Sequence, residues 1–156
     1  MKPGIEHLKH PVHLLGLGIG SGLAPVAPGT FGTLAAFPLY FLLSGLSLPL
    51  YALAVLLSAV AGIWICGQTA DALGVHDHPA IVWDEFVGLW ISLFAAPLGW
   101  LPALLGFVYF RFFDVLKPWP IGWLDKHVSG GLGIMLDDIL AGVMACVCLH
   151  VTLKVL

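Results

Sequence analysis

The stretch HDHPAIVWDEFVGLWISLFAAP, residues 76–97, joins a polar segment with several ionisable side chains directly to a long apolar run. Asp84 and Glu85 lie where the polar part ends, and the residues from Phe86 onward have the composition of a membrane-buried helix. Ionisable groups at membrane depth are costly to desolvate and usually serve a function. The stretch therefore predicts an α-helix that enters a lipid bilayer with a carboxylate pair at its polar end.

The composition of the whole chain supports a membrane protein. The sequence has 156 residues, of which 60% are hydrophobic, and its mean hydropathy is +1.01. These values are far above those of a soluble domain, and the length fits one domain over residues 1–156. Residues 1–19 begin with polar side chains, so we expect a cytoplasmic arm rather than a cleaved signal peptide. A net charge of -3 with six Lys and Arg excludes a nucleic-acid partner.

Three apolar runs could cross the membrane, at residues 31–68, 86–110 and 139–151. The first is much longer than the ~20 residues that one crossing needs, and the turn-like sequence at 44–49 divides it into two helices. The second run fits either one kinked span or two short helices folded back at 96–102, and its length does not decide between them. The third run predicts a C-terminal transmembrane helix.

The distribution of positive charge decides the topology. Lys2 and Lys9 mark the N-terminal arm as cytoplasmic, and the segment 111–138 also holds positive side chains, at Arg111, Lys117 and Lys126. Both segments lie on the same side only if the second run is a hairpin. We therefore predict an all-α integral membrane bundle of two helical hairpins plus a C-terminal helix, with its polar site at the cytoplasmic face.

The acidic pair of the opening stretch occurs a second time. WDEFVG at 83–88 is matched by LDDILAG at 136–142, and in both an aspartate lies four residues before a glycine, on one helix face. Glycine lets two membrane helices approach closely. The pattern predicts that four carboxylates share a small volume, which needs a cation: Asp84, Glu85, Asp137 and Asp138. Oxygen ligands favour Mg²⁺, followed by Ca²⁺ or Mn²⁺.

Two other interpretations of these polar residues stay open. The acidic pairs could be first-turn residues that the helix dipole favours and the headgroup region hydrates. His76 and His78 flank Asp77 in an H-x-H spacing that suits a transition metal, although loop histidines are more often solvated or hydrogen-bonded.

A possible anion site follows in RFFDVLKPWPI, residues 111–121. Arg111, Asp114 and Lys117 are spaced by three, so a helical turn would align them on one side, and Pro118 would end the helix. The alternative is a positive-inside anchor with Trp119 and Trp123 at the membrane interface. That alternative leaves Asp114 unexplained.

The glycine-rich stretch GSGLAPVAPGTFGT, residues 20–33, could bind phosphate in a second way. Small residues and Pro-Gly turns lead into a helix that Thr30 could cap, and free amides at a helix start suit phosphate oxygens. A plain turn with an N-cap residue is the alternative.

Four blocks in this order resemble the phosphatidylglycerophosphatase A family: residues 20–33, the segment HDHPAIVWDEFVG at 76–88, residues 111–121 and GGLGIMLDDILAG at 130–142. The resemblance implies a multi-pass, Mg²⁺-dependent phosphatase of the bacterial inner membrane that acts on phosphatidylglycerophosphate. It places the acidic motif positions at Asp77, Asp84, Glu85, Asp114, Asp137 and Asp138.

The residues and the resemblance together predict metal-assisted hydrolysis. The sequence lacks a Cys-x₅-Arg loop, a D-x-D-x-[TV] motif and a K-x₆-R-P motif, so covalent phosphatase chemistries of those types are excluded. We expect Asp84, Glu85, Asp137 and Asp138 to bind the metal, Asp77 or Asp114 to act as general base or extra ligand, and Thr30, Arg111 and Lys117 to contact the substrate.

Two other function classes compete with a phosphatase. An ion-coupled transporter needs polar groups in the middle of its spans, whereas the first two apolar runs have none and His150 is alone in the third. A small structural subunit of a membrane complex leaves the repeated acidic pair unexplained. The sequence does not predict an oligomeric state.

Overall fold

The computed structural model describes residues 3–156, and its regular structure in that range is entirely helical. The predicted all-α class is confirmed. Lys2 of the expected N-terminal arm lies outside the described residues. Two short 3₁₀ turns, Ile5–Lys9 and Ser21–Leu23, accompany seven α-helices: α1 Pro11–Gly16, α2 Pro28–Leu43, α3 Leu48–Leu73, α4 Trp83–Ser92, α5 Trp100–Leu116, α6 Ile121–His127 and α7 Gly130–Val155.

Helices α4 and α7 form the centre of the bundle. Helix α7 packs against α3, α4, α5 and α6, while α4 also packs against α2, α3 and α5. Nine of the ten residues of α4 are buried, Ile91 being the exception. This explains why the opening stretch is apolar on every face, because the helix is enclosed by protein on all sides.

Both long apolar runs are divided into two helices. The first run breaks between Leu43 and Leu48, close to the predicted turn. The second breaks between Ser92 and Trp100, three residues before the predicted segment 96–102. The difference arises because Pro102 lies in the first turn of α5, where the missing N–H of proline removes no intrahelical hydrogen bond.

Helix α7 begins at Gly130, nine residues before the apolar run that predicted it. Its first turns are rich in glycine, which has low helix propensity, so composition alone does not mark them as helical. Packing against α3 explains the glycines, because a Cβ atom at Gly131 would lie only 1.8 Å from the Ile63 carbonyl oxygen. Asp137 and Asp138 consequently lie about two turns inside α7, and the first-turn interpretation is wrong for this pair.

Within the described residues, α3 and α7 are the two helices long and apolar enough to cross a membrane by length and composition. Helix α2 is also apolar but shorter. The outward side of α3 carries large apolar side chains that are more than half exposed, among them Leu56, Leu57, Val60 and Trp64. Such a continuous apolar surface is unusual for a protein surrounded by water.

Candidate active site at the polar ends of helices α4, α5 and α7

A polar cavity of about 300 Å³ lies where the start of α4, the end of α5 and the second and third turns of α7 meet. Its lining contains all of the acidic and basic side chains predicted for the site: Asp77, Asp84, Glu85, Arg111, Asp114, Lys117, Asp137 and Asp138. Thr30 is absent from this lining, whereas its neighbour Gly29 is present. The fold therefore assembles nearly the whole predicted set from three separate parts of the sequence.

Three of the carboxylates form one compact group deep in the cavity. Asp84, Glu85 and Asp138 each offer an oxygen within 4.8 Å of the other two, and their exposed fractions are 6%, 9% and 2%. The glycines bring them together, because a Cβ atom at Gly142 would lie 2.6 Å from the carbonyl oxygen of Gly88. One turn from this close backbone contact, Asp84 and Asp138 necessarily approach each other.

Asp137 belongs to a different group, which corrects the prediction that four carboxylates share one volume. Its carboxylate lies with those of Asp77 and Asp125, again with oxygens within 4.8 Å. Consecutive residues of a helix point about 100° apart, so Asp137 and Asp138 face different sides of the cavity. Asp125 is exposed and lies in α6.

Several buried carboxylate oxygens have no hydrogen-bond partner among the described residues: Asp84 Oδ1, Asp137 Oδ1 and Asp138 Oδ2. Burying an ionised carboxylate without a partner is costly, and native structures rarely do so. A hard divalent cation coordinated by oxygen would satisfy these atoms. The chemistry of the group formed by Asp84, Glu85 and Asp138 thus fits Mg²⁺.

The basic side chains of α5 are paired with carboxylates of the cavity. Arg111 Nη1 lies 2.8 Å from Glu85 Oε2 and also contacts Asp114 Oδ2. Lys117 Nζ lies 3.7 Å from Asp114 Oδ1 and 3.9 Å from Asp137 Oδ2. The spacing of three residues does place Arg111, Asp114 and Lys117 on one side of the helix. Six carboxyl groups line the cavity, against these two cationic side chains.

The cavity shifts the pKa values of two groups at its rim. Partial burial raises the pKa of Asp77, an effect that the nearby Lys117 ammonium partly offsets. Partial burial lowers the pKa of Lys117, but the carboxylates of Asp114, Asp138 and Asp137 outweigh that effect and raise it overall. Lys117 therefore keeps its positive charge at neutral pH and can attract an anion.

The start of α2 differs from its prediction. The helix begins at Pro28, and its N-cap residue is Ala27, which makes no side-chain capping bond. Thr30 is consequently inside the first turn and is not the cap. The residues that reach the cavity are Gly29, in its lining, and Thr33, whose hydroxyl lies 2.9 Å from Glu85 Oε2. Thr33 lies within the glycine-rich stretch 20–33, but the sequence analysis did not single it out.

Replacing Gly29 by alanine tests the close contact between α2 and the carboxylates. A Cβ atom there would lie 2.8 Å from Glu85 Oε1 and 3.1 Å from Arg111 Nη1. Both atoms end flexible side chains, so they can move without unfolding the helix. We expect Gly29→Ala to keep or raise thermal stability in detergent while turnover falls at least ~5-fold through a displaced Glu85 carboxylate. Unchanged turnover would contradict this placement of Gly29.

The H-x-H spacing does not produce a histidine metal site. His78 lines the cavity, but its Nδ1 atom accepts a hydrogen bond of 3.0 Å from the Ala80 amide. His76 is exposed. Neither histidine joins the two groups of carboxylates that the described residues bring together. The solvated and hydrogen-bonded interpretation accounts for both.

Known proteins of one family match nearly the whole chain. The family model for phosphatidylglycerophosphatase A matches residues 14–153. The chain is 52% identical over 139 residues to the phosphatidylglycerophosphatase A of Escherichia coli K12, covering 88% of this chain and 81% of that protein. Identity to the Haemophilus influenzae protein of that name is 47% over 142 residues, covering 90% and 87%.

A relative from Bacteroides thetaiotaomicron is named as a candidate phosphatidylinositol-3-phosphatase. It is 40% identical over 147 residues, covering 88% of this chain and 91% of that protein. No solved structure matches the chain.

Proposed function

Because the chain belongs to the phosphatidylglycerophosphatase A family and is a phosphatase, we propose that it is a Mg²⁺-dependent enzyme of the bacterial inner membrane that removes the terminal phosphate of phosphatidylglycerophosphate. The observation that carries the proposal is the buried group of Asp84, Glu85 and Asp138 with its unpaired oxygens. A site lined with carboxylates needs a cation to bind a phosphomonoester, because the substrate is also an anion.

The buried carboxylates of Asp84, Glu85 and Asp138 would hold Mg²⁺, whereas Asp137 lies in the separate group with Asp77 and Asp125. The ion would supply charge neutralisation for the phosphate oxygens and would lower the pKa of the attacking water. Lys117 and Arg111 line the same cavity and would orient the phosphate group by charge. Because Arg111 also holds Glu85 and Asp114, substrate binding and ligand geometry are linked at this residue.

Asp77 is the better candidate for the general base. Both oxygens of Asp114 are engaged, one with Arg111 and the other with Lys117. Asp77 lies at the exposed rim, and no cationic side chain among the described residues is within 4.0 Å of its carboxylate. We assign Asp77 to accept the proton of the attacking water, and Asp114 to hold Arg111 and Lys117 in place.

For the membrane, we propose that α3 and α7 cross the bilayer and that α2 with α3, and α4 with α5, form two hairpins. Helix α4 has ten residues and is about 15 Å long, which is half of a hydrocarbon core, so the mostly exposed link 93–99 would complete the crossing beyond its end. Trp119 and Trp123 are 80% and 51% exposed and would mark the cytoplasmic interface beside the cavity.

The position of the cavity favours an enzyme over an ion-coupled transporter. Its carboxylates lie at the start of α4 and the end of α5, so the polar groups are gathered at one end of the bundle. His150 is occupied within α7, where its Nδ1 lies 2.9 Å from the Cys146 carbonyl oxygen. A polar path through the middle of the spans would be needed for transport.

Phosphate release from phosphatidylglycerophosphate by the purified protein in detergent tests the function. We expect turnover with Mg²⁺, its loss in excess EDTA and its recovery on adding Mg²⁺. Phosphatidylinositol 3-phosphate serves as the comparison substrate, because one relative carries that name. Full activity in EDTA would contradict the metal assignment, and preference for the inositol lipid would contradict the substrate.

Single cysteines test the topology in a background without Cys66, Cys146 and Cys148. Val75→Cys and Ser129→Cys lie at exposed positions in the links α3–α4 and α6–α7, and we expect both to react with a membrane-impermeant maleimide only from the cytoplasmic side. Ser47→Cys and Leu98→Cys lie in the links α2–α3 and α4–α5, and we expect labelling only from the opposite side. Labelling of Val75→Cys and Ser129→Cys from different sides would rule out the second hairpin.

A further inference from the structure

Two hydrogen-bond donors converge on one oxygen of Glu85. Arg111 Nη1 lies 2.8 Å from Glu85 Oε2, and the hydroxyl of Thr33 lies 2.9 Å from the same atom. Thr33 is completely buried in α2. The other oxygen, Oε1, accepts no hydrogen bond from the described residues. The carboxylate is therefore held by one oxygen, and the second remains available.

We propose that Thr33 is a positioning residue that fixes the Glu85 carboxylate so that Oε1 is the oxygen presented to the cation. The inference rests on the proposed Mg²⁺-dependent function. A glutamate side chain has three rotatable bonds, and ordering it on binding costs conformational free energy. Hydrogen-bond donors that reach Oε2 from two directions order the Glu85 side chain before the cation binds. Residues that surround metal ligands commonly improve metal binding in this way.

The Thr33 hydroxyl has a second possible acceptor, so a structural role within α2 is the alternative to a role in positioning Glu85. Its hydroxyl also lies 2.8 Å from the carbonyl oxygen of Gly29, one turn earlier in α2. Threonine often donates to its own helix in this way. The hydroxyl has one proton and donates to one acceptor at a time, and an ionised carboxylate is the stronger acceptor. If the helix bond were its whole role, removing the hydroxyl would leave cation binding unchanged.

The test compares Mg²⁺ binding by calorimetry with the Mg²⁺ concentration that gives half-maximal phosphate release. Thr33→Val keeps the shape of the side chain and removes its donor, so we expect Mg²⁺ affinity to fall about tenfold, the size of one hydrogen bond to a charged group. The rate at saturating Mg²⁺ should fall less than the affinity does. Thr33→Ser restores the donor and should recover affinity to within about twofold of the unmodified protein.

Thr152→Val is the matched control, because Thr152 also donates within its own helix, to the Cys148 carbonyl oxygen at 2.8 Å, but lies outside the cavity. We expect its Mg²⁺ affinity to equal that of the unmodified protein. Thr33→Ala replaces Thr33→Val in every comparison if the valine variant does not fold.

Unchanged affinity in Thr33→Val, or no recovery in Thr33→Ser, would overturn the positioning role while leaving the proposed function intact. Absence of Mg²⁺ binding and of Mg²⁺-dependent turnover in the unmodified protein would instead overturn the proposed function, and the inference with it.

Discussion

Asp84→Asn and Asp138→Asn are each expected to lower turnover of phosphatidylglycerophosphate at least ~100-fold, comparable to losing other electrostatic catalytic groups. Asparagine keeps the shape of aspartate but removes the negative charge that would hold the cation. Both side chains are almost fully buried, and each has an oxygen without a hydrogen-bond partner among the described residues. Folding should survive, because removing one of several adjacent carboxylates relieves repulsion in the metal-free protein.

Asp71→Asn is the control for this pair. Asp71 is exposed near the end of α3 and does not line the cavity, so we expect near-normal turnover. Asp125→Asn cannot serve as a neutral control, since its carboxylate lies beside those of Asp77 and Asp137. If Asp84→Asn and Asp138→Asn were as active as Asp71→Asn in folded protein, the buried group would not be the catalytic centre.

Gly142→Ala is expected to separate α4 from α7 and to reduce stability and activity together. The added Cβ would lie 2.6 Å from the Gly88 carbonyl oxygen and 3.0 Å from Ile91 Cβ, and a backbone oxygen cannot move aside as a side chain can. We expect a loss of about 1–3 kcal/mol in the free energy of unfolding, as for other overpacked sites. Turnover should fall at least ~10-fold because Asp138 moves away from Asp84.

Gly67→Ala is the matched control within a packed helix. A Cβ there would meet its nearest neighbour, Gly131 Cα, at 3.7 Å, which is ordinary contact. Alanine is the better helix former by up to about 1 kcal/mol, so the thermal midpoint in detergent should stay or rise. Equal effects of Gly142→Ala and Gly67→Ala on stability would contradict the glycine contact between α4 and α7.

The repeated acidic and glycine pattern was enough to predict the central contact of the fold. In a helix, residues four apart share a face, and small residues permit close packing, so the pairs Asp84–Gly88 and Asp138–Gly142 follow from helical geometry alone. The alignment of Arg111, Asp114 and Lys117 on one side of α5 follows equally from their spacing, and the structure shows it as two ion pairs. Local periodicity carried these predictions.

Features that depend on tertiary packing could not be predicted in this way. The early start of α7 depends on Gly131 fitting against α3, and nothing local in that glycine-rich segment favours a helix. The grouping of Asp137 with Asp125 depends on the packing of α6 against α7, which local periodicity does not show. Thr33 was missed because its partner Glu85 lies 52 residues away in the sequence.

Titration with Mn²⁺, followed by the electron paramagnetic resonance signal of the free ion, tests the proposed cation site most directly, because it needs no substrate. The unmodified protein in detergent should bind Mn²⁺ saturably and in competition with Mg²⁺, and Asp71→Asn should bind it equally well. Asp84→Asn and Asp138→Asn should lose at least ~10-fold in affinity, as expected when a charged ligand is removed from a buried site. Equal Mn²⁺ affinity in all four proteins would contradict a cation site formed by Asp84, Glu85 and Asp138.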